Sequence, residues 1–320
     1  MAAEQISFND FNILQSLVLN PNIRLRYLCK NLATSNTEQI KKVLKSLAHK
    51  GLVRPSSQLY EVTKKGMDAL EPYRVKRAVI LAAGMGQRMR PVTLSTPKPM
   101  VRIGNKRIIE TQIHALLAAG ITDITIVRGY LGDIFDELLI DYPMLQFVHN
   151  PYWESKGAIV SVNHVIDRIE GAYVIEGDLL VKNPAIIRPY EYHSSYCGIP
   201  GDVSDDWYFC TDNNHSITEL DFGTVKGGDK RAYKFVGIMY WAPDHGKTLR
   251  DDLKLFMQDS ANHHGFIEAV PFKEQTSDYN IRVRRVRIDD VTAVDTHDEL
   301  QALRNEAYRE KASTDFIDRE

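Results

Sequence analysis

Apolar residues recur at helical spacing in the first 50 residues. Residues 8–19 carry them three and four positions apart, and Asn20 and Pro21 end that pattern. A second helix is predicted over residues 25–32. A third follows Ser35, which forms a predicted capping box with Glu38. Its apolar positions are Ile40, Val43, Leu44 and Leu47.

Two short β-prone runs follow Gly51, at residues 52–54 and 59–63, around Pro55-Ser56-Ser57. Residues 64–70 predict a closing helix, and Pro72 disfavours its continuation. We therefore expect one domain over residues 1–74 and a second over residues 75–320.

Apolar runs and helical patterns alternate in the rest of the chain. Strands are predicted at residues 78–81, 124–127, 145–149 and 172–175, and helices at 109–117 and 131–140. A strand, helix, strand order implies right-handed crossovers between parallel strands. We predict an α/β fold, a Rossmann-like three-layer domain with a mostly parallel sheet.

Composition narrows the class of protein. The 320 residues are 43% hydrophobic and 26% charged, as expected of a protein with a sizeable core. No apolar run approaches the roughly 20 residues that span a bilayer, and the N-terminus lacks a signal-peptide pattern. We expect a cytoplasmic protein with no membrane contact, whose three scattered cysteines, Cys29, Cys197 and Cys210, are reduced. Residues 1–75 carry a net charge of +5, which permits contact with nucleic acid.

The predicted strand 78–81 leads into a loop that is suited to phosphate. Gly84 and Gly86 let the backbone turn tightly, so that amide groups can converge on an anion, and Arg88 and Lys98 add positive charge. The spacing is neither that of a Walker loop nor that of a dinucleotide fold.

Two carboxylates follow predicted strands. Asp178 comes just after strand 172–175, and Asp295 follows the β-prone residues 291–294. Strand ends face the ligand crevice of an open α/β sheet, although acidic residues are also common in simple turns. Thr296 and Glu299 predict a capping box for a helix over residues 297–309.

Aromatic and acidic residues in the second half suit a small cation. Trp153, Trp207, Tyr240 and Glu268 are candidates for binding it, because aromatic faces and carboxylates attract ammonium groups. Aromatic residues in strands are also frequent in protein cores.

The string LAAGMGQRMRP with the following PKP resembles the signature of the sugar-nucleotide pyrophosphorylase superfamily of nucleotidyltransferases. Residues 77–305 are similar to the bacterial CTP:phosphocholine cytidylyltransferases. The similar phrases are IIETQIHALLAAGITDITIVRGYLGD, YVIEGDLLVKN, DDWYF, FVGIMYW and IDDVTAVDTHDEL. Lys156-Gly157 departs from the asparagines of those relatives and puts the acceptor pocket in doubt.

This resemblance implies transfer of CMP from CTP to phosphocholine, with Mg²⁺ held by Asp178 and Asp295. It implies that Lys98 binds the α-phosphate or the acceptor phosphate, and that Glu268 lies near the amine. The implied nucleotide-binding residues are Leu81, Ala82, Ala83, Gly84, Gly86, Arg88 and Gln112. Alternative acceptors are 2-aminoethylphosphonate and a sugar 1-phosphate. A metabolite-sensing transcription regulator is the alternative of another class.

Residues 1–74 resemble the winged helix-turn-helix domains of bacterial regulators, above all in the phrase LKSLAHKGLVRPSSQLYEVTKKG. That resemblance implies that the third helix enters the major groove of DNA. The candidate contacts are Asn36, Thr37, Gln39, Lys41, Lys42 and Lys45. Winged helices also serve as dimer or docking interfaces, so a homodimer is the other expectation.

Overall fold

The structure is a computed structural model that describes residues 5–32, 36–56, 59–226, 231–273 and 279–317. The chain divides into two compact units. The first unit comprises Met1–Arg74 with Tyr190–Tyr192, and the second comprises Val75–Pro189 with His193–Glu320.

The first unit contains four α-helices and one hairpin in its described residues. These are α1 (Phe8–Leu19), α2 (Leu25–Asn31), α3 (Thr37–His49), β1 (Val53–Ser56), β2 (Leu59–Val62) and α4 (Lys64–Leu70). The strands of the hairpin are antiparallel. Phe11, Leu14, Leu28, Leu44 and Leu47 are among the buried residues that join the helices.

Helix α3 begins differently from the predicted capping box. Asn36 is the residue that caps it, because its side chain accepts a hydrogen bond from the Gln39 amide at 3.0 Å. Ser35 lies outside the described residues, as does Ser57 of the predicted turn. Gly51 has φ +73° and follows the helix, as expected of a left-handed residue there. The winged-helix assignment stays a prediction, since it rests on the order of these elements.

The second unit is built on a mixed β-sheet. Nine of its strands in the described residues form this sheet: β3 (Arg77–Ala82), β6 (Asp123–Arg128), β7 (Gln146–His149), β8 (Ala172–Glu176), β10 (Ser195–Pro200), β11 (Val203–Thr211), β12 (Ile217–Val225), β13 (Ala232–Trp241) and β14 (Arg282–Arg285). Two small ribbons pair β4 (Arg102–Ile103) with β5 (Lys106–Arg107) and β9 (Leu179–Val181) with β15 (Val291–Ala293).

The predicted parallel strands form one half of the sheet. Strands β8, β3, β6 and β7 lie side by side in that order and are parallel. Strands β13, β11 and β12 continue the sheet from β8 in antiparallel pairs. Strands β10 and β14 also pair in parallel. The sheet is therefore mixed, and the predicted parallel arrangement is confirmed for β8, β3, β6 and β7. The antiparallel half was not predicted, because its strands were treated as isolated aromatic runs.

Helices cover both faces of the sheet, as expected of a three-layer domain. The helices of this unit are α5 (Ile108–Ala118), α6 (Ala158–Asn163), α7 (Pro243–Phe256), α8 (Val270–Lys273) and α9 (His297–Ile317). Ile109, Ile113 and Leu116 of α5 pack with Ile80 of β3 on one face. On the other face, residues of α6 and α7 pack with Val79. Alternate residues of β3 thus serve opposite layers.

Two predicted helices differ in the structure. Residues Gly132–Ile140 form a 3₁₀ helix, which follows Leu131 at φ 48°. The last helix continues to Ile317, beyond the predicted end at residue 309. None of the helices in the described part of the chain combines the length and apolar character needed to cross a bilayer.

Candidate active site

The loop after β3 lies close against Lys98 at one glycine, Gly86. Gly86 has φ +63°, and a Cβ atom there would lie 2.9 Å from Lys98 Cβ. Its carbonyl accepts a hydrogen bond from Thr93 Oγ1 at 2.9 Å. Both the backbone conformation and the close approach therefore require glycine at this position. Gly84 is exposed, and a Cβ atom there would meet nothing within 4 Å.

The other predicted nucleotide-binding residues lead into this loop. Ala82 and Ala83 are buried, and Leu81 is partly exposed. The Ala83 carbonyl accepts a hydrogen bond from the Tyr130 amide at 3.0 Å, which joins the end of β3 to the end of β6. Arg88, also a predicted site residue of this loop, is exposed, with 71% of its side chain accessible.

The ribbon of β9 and β15 brings the two predicted aspartates together. Leu179 pairs with Ala293, and the Val294 amide donates to the Asp178 carbonyl at 3.1 Å. Asp295 follows Val294 directly. Its amide donates to the Glu299 carboxylate at 2.8 Å, so that the start of α9 also holds it.

The predicted capping box of α9 is confirmed. The Thr296 amide donates to the Glu299 carboxylate at 2.8 Å, and the Glu299 amide donates to Thr296 Oγ1 at 3.2 Å. The cap therefore fixes the backbone on the C-terminal side of Asp295.

Lys98 lies between the two aspartates. Its Nζ is 2.8 Å from Asp178 Oδ2 and 2.6 Å from Asp295 Oδ1. Arg88 Nη2 lies 3.0 Å from the same oxygen of Asp295. Burial alone would lower the pKa of Lys98, but the charges of the two aspartates raise it above its usual value. Burial would likewise raise the pKa of Asp295, but Lys98 and Arg88 hold it below its usual range.

The aspartate pair fits a hard divalent cation by its chemistry. Asp178 Oδ1 is buried and has no hydrogen-bond partner among the described residues, so one carboxylate oxygen is available. Mg²⁺ is commonly held by one or two carboxylates, with water and substrate phosphates completing its shell. Within the described residues, no three His, Cys, Asp or Glu side chains converge as a metal cluster. A cation at this pair would take its remaining ligands from water and substrate phosphates.

Gln112, which was predicted to contact the nucleobase, is engaged with backbone carbonyls in this structure. Its side chain is fully buried in α5, and its Nε2 donates to the Glu176 carbonyl at 3.0 Å and the Leu179 carbonyl at 2.9 Å. A buried amide side chain is generally used by its neighbours, which explains the difference.

Glu268 lies in a buried setting beside aromatic residues. It is 3% exposed, and its carbonyl accepts a hydrogen bond from the Tyr196 hydroxyl at 3.1 Å. Burial raises the pKa of Glu268 to about 7. Phe266, two residues earlier, packs edge-on against Trp207 with ring centroids 5.3 Å apart. Trp207 also meets the exposed Phe222 at 5.7 Å.

Two predicted acceptor residues lie elsewhere. Trp153 packs against Tyr130, with ring centroids 5.2 Å apart. It also lies against Gly129, where an added Cβ atom would be 2.7 Å from Trp153 Cβ and 2.9 Å from the Ala83 carbonyl oxygen. This places Trp153 beside the loop that follows β3. Tyr240 is 3% exposed and packs edge-on against Tyr173 in the core. Its strand β13 lies inside the sheet, between β11 and β8, which favours burial of this side chain.

Glu176 and Gly237 were not assigned to the site from the sequence. A Cβ atom at Gly237, which has φ +71°, would lie 2.2 Å from Glu176 Oε2. The glycine therefore makes room for this carboxylate. Burial, followed by the charges of Asp178 and Glu268, raises the pKa of Glu176 well above its usual value. A glycine inside the apolar run FVGIMYW was the signal that something approaches the backbone there.

Comparison with known proteins gives the family. The nucleotidyl transferase family pattern matches residues 77–194. A 2-aminoethylphosphonate cytidylyltransferase of Lancefieldella rimae is 34% identical over 200 residues, which are 58% of this chain and 79% of that protein. The chain belongs to the nucleotidyltransferase family. It is an enzyme, and these relatives place it with the cytidylyltransferases.

A further relative supports this assignment, and a solved structure shares the fold. A choline-phosphate cytidylyltransferase of Streptococcus pneumoniae is 32% identical over 168 residues, covering 52% of this chain and 69% of the relative. The solved structure of a CTP:phosphocholine cytidylyltransferase from Streptococcus pneumoniae shares the fold. Its TM-score is 0.66 at 23% identity, and the match covers 72% of this chain and 98% of that one.

Proposed function

We propose that this enzyme transfers CMP from CTP to the phosphate or phosphonate oxygen of a small amine and releases pyrophosphate. The observation that carries the proposal is the Lys98 ammonium held between Asp178 and Asp295, beside a glycine loop that packs on the same lysine. Such a cluster can exchange its internal ion pairs for those of a metal-bound triphosphate. The cytidylyltransferase names of the relatives support CTP as the nucleotide.

The reaction is a direct displacement at the α-phosphorus of CTP. An acceptor oxygen forms the new P–O bond while the bond to the β-phosphate oxygen breaks, and the electron pair leaves with pyrophosphate. The attacking oxygen is already ionised, so no general base is needed. Arg88 and the amides of Gly84 and Gly86 bind the triphosphate, and Lys98 stabilises the charge of the transferring phosphoryl group. Asp178 and Asp295 would hold Mg²⁺, which when bound supplies neutralisation of phosphate charge.

A primary ammonium is the acceptor cation that the structure supports best. Glu176 and Glu268 are carboxyl groups in buried surroundings, and the charges of Asp178 and Glu268 both act on Glu176. A primary ammonium can donate hydrogen bonds to carboxyl groups of this kind. Tyr240 lies in the core, which leaves fewer aromatic faces than the sequence suggested. We therefore propose 2-aminoethylphosphonate, or an amine of the same kind, as the acceptor.

Phosphocholine is the second candidate acceptor. Its quaternary ammonium has no hydrogen to donate and depends on aromatic faces and charge. Trp207 packs edge-to-face against Phe266, which precedes Glu268 by two residues in the chain, and this favours the alternative.

Release of pyrophosphate with a panel of nucleotides and acceptors tests the proposed nucleotide and the proposed acceptor. We expect turnover with CTP well above that with UTP, ATP or GTP, and with 2-aminoethylphosphonate above phosphocholine. A preference for phosphocholine would make it the first candidate acceptor in place of 2-aminoethylphosphonate. Turnover of a sugar 1-phosphate alone would contradict an amine acceptor. Absence of turnover with every pair would contradict the transferase proposal.

We propose DNA as a second ligand, bound by the first unit. Gln39, Lys41, Lys42 and Lys45 are exposed on α3, and Glu38, which pairs with Lys41 at 2.7 Å, is the acidic residue among them. Positive side chains on an exposed helix suit phosphate contacts. A gel-shift series between 50 and 200 mM salt should show duplex binding that weakens about 10³-fold or less, as a few phosphate contacts require. The double variant K42E/K45E should lose binding and keep CMP transfer, whereas salt-independent or absent binding would contradict the proposal.

A further inference from the structure

The turn that carries Asp178 is tied at both ends to one buried side chain. Gln112 Nε2 has two hydrogens, and it donates to the Glu176 carbonyl at 3.0 Å and to the Leu179 carbonyl at 2.9 Å. These carbonyls stand on either side of Gly177 and Asp178. One amide group thus spans the whole turn between β8 and β9.

The neighbouring residue of α5 extends the same attachment. Thr111 Oγ1 accepts a hydrogen bond from the Val181 amide at 3.0 Å and donates to the Ile108 carbonyl at 2.7 Å. The start of α5 is itself fixed, because the Glu110 carboxylate accepts from the Arg107 amide at 2.6 Å. The helix is therefore a firm support for the turn.

The other contacts of the turn leave it few alternatives. The Gly177 amide donates to the Leu81 carbonyl at 2.9 Å, and a Cβ atom on Gly177 would lie 2.8 Å from that carbonyl oxygen. The Asp178 carbonyl accepts from Val294. The two hydrogen bonds of Gln112 add an attachment of this turn to α5.

The hydrogen bonding of Gln112 is one-sided. Its Nε2 uses both hydrogens, whereas its Oε1 is buried without a hydrogen-bond partner among the described residues. A buried unpaired oxygen is unfavourable, and an apolar side chain of the same size would avoid that cost. Such a side chain would also leave the Glu176 and Leu179 carbonyls without this donor, so the contribution of Gln112 lies in what Nε2 holds.

We propose that Gln112 is a positioning residue, which sets the Asp178 carboxylate against Lys98 and against the cation that the aspartate pair would hold. The inference rests on the proposed role of Asp178 as a metal ligand. Groups that orient a metal ligand typically change metal affinity or activity by about 10- to 100-fold when they are removed. Gln112 acts through the backbone on either side of Asp178 and touches no substrate.

The test compares Gln112→Met with Ile113→Val, two fully buried neighbours on α5. The first removes both hydrogen bonds at nearly constant volume, and the second weakens packing without touching the turn. We expect Gln112→Met to raise the Mg²⁺ concentration for half-maximal turnover by about 10- to 100-fold. Excess Mg²⁺ should recover part of kcat, and the acceptor KM should change less than about twofold. Ile113→Val should lower the melting temperature and leave the Mg²⁺ dependence unchanged.

A binding measurement supplies a readout besides turnover. Free Mn²⁺, followed by electron paramagnetic resonance with a non-reactive CTP analogue, should show weaker binding to Gln112→Met by a similar factor. Gln112→Glu is the second variant, since a buried neutral carboxyl can donate one hydrogen bond and should give an intermediate effect. Wild-type Mg²⁺ dependence in folded Gln112→Met would overturn the inference. So would failure of both Gln112 variants to fold, because Gln112 would then serve the fold.

Asp178→Ala separates this inference from the proposed function. Retained turnover in Asp178→Ala would overturn the metal assignment on which the inference depends. Loss of turnover in Asp178→Ala, together with unchanged Mg²⁺ dependence in Gln112→Met, would overturn the positioning role alone.

Discussion

The two ends of the candidate site differ in how their carboxyl groups are surrounded: one end pairs them with cations, and the other buries them. At the phosphate end, Lys98 and Arg88 pair with Asp178 and Asp295, and each carboxylate is about one-third exposed. At the acceptor end, Glu268 is 3% exposed and forms no ion pair within the described residues. At the phosphate end, the positive and negative charges balance each other without substrate. At the acceptor end, burial opposes the ionisation of the Glu268 carboxyl group.

This difference assigns different tasks to the two ends. Ion pairs that already satisfy each other must be exchanged when a triphosphate binds, so the phosphate end is suited to neutralising charge that develops during the reaction. An unpaired buried carboxyl gains most from a cation that is brought to it, because that cation offsets the cost of removing the charge from water. The acceptor end is therefore suited to recognition. Variants at the first end should act mainly on kcat, and variants at the second on KM.

Asp178→Ala should have the largest effect. The change removes a carboxylate from the pair and leaves Lys98 with Asp295 alone, and turnover should fall by about 10³-fold or more, equivalent to about 4 kcal/mol of transition-state stabilisation. Steady-state release of pyrophosphate at saturating CTP and acceptor measures it. Asp298→Ala, an exposed aspartate three residues after Asp295, is the matched control and should retain full activity.

Lys98→Ala should lower both turnover and stability. Turnover should fall by about 10²- to 10³-fold, as for removal of one group that stabilises transition-state charge. Two carboxylates would also face each other without a cation. Because they are partly exposed, we expect the free energy of unfolding to fall by about 1–3 kcal/mol, less than for a fully buried pair.

Urea unfolding with and without Mg²⁺ measures the effect of Lys98 on stability. Added Mg²⁺ should stabilise Lys98→Ala more than the wild type, since a cation would then meet two unpaired aspartates. Lys106→Ala, on an exposed residue, is the control. Equal Mg²⁺ effects in Lys98→Ala and wild type would show that the lysine and the metal do not share the aspartates.

The phosphate end could be predicted from the sequence because its residues lie in short, recognisable segments. Gly86, Arg88 and Lys98 lie within 13 positions, and each aspartate lies within three positions of the end of a β-prone run. The acceptor end is assembled from distant strands and turns, whose register no local pattern reveals. Aromatic content alone could not separate Trp207, which is partly exposed, from Tyr240, which is buried in β13. For Gln112, helical spacing indicates which face of α5 is buried, but not which carbonyls its amide will meet.

Glu268→Gln should weaken acceptor binding and flatten its pH dependence. Burial raises the pKa of Glu268 to about 7 from an ordinary 4.5, with Glu176 and Tyr196 among the groups that interact with it. Its ionised fraction therefore grows as pH rises from 6 to 8, and the acceptor KM should fall over that window. In Glu268→Gln, KM should be about 10-fold higher at pH 8, as for loss of one charge-assisted contact of about 1.4 kcal/mol.

The acceptor phosphate also titrates in this pH range, but it does so equally in assays of the wild type and of Glu268→Gln. A difference between the two pH profiles therefore reports on Glu268. The same raised pKa makes the wild-type free energy of unfolding fall as pH rises from about 4.5 to about 7, because the native state then binds more protons. Glu268→Gln should lack this loss. The exposed Glu154→Gln is the control. Parallel pH profiles in Glu268→Gln and wild type would contradict recognition by this carboxyl.

Trp207→Leu should have the smallest effect, and one that depends on the acceptor. Trp207 contacts Phe222 and Phe266, and leucine keeps apolar volume there while removing the indole face. A quaternary ammonium would lose about 0.5–2 kcal/mol, which raises the phosphocholine KM about two- to thirtyfold. A primary ammonium held by carboxyl groups should lose less, so the KM for 2-aminoethylphosphonate should rise less than that for phosphocholine. Tyr240→Phe, in the core, should change neither KM. An equal loss for both acceptors in Trp207→Leu would mean that Trp207 supports the shape of this end and does not distinguish between the two cations.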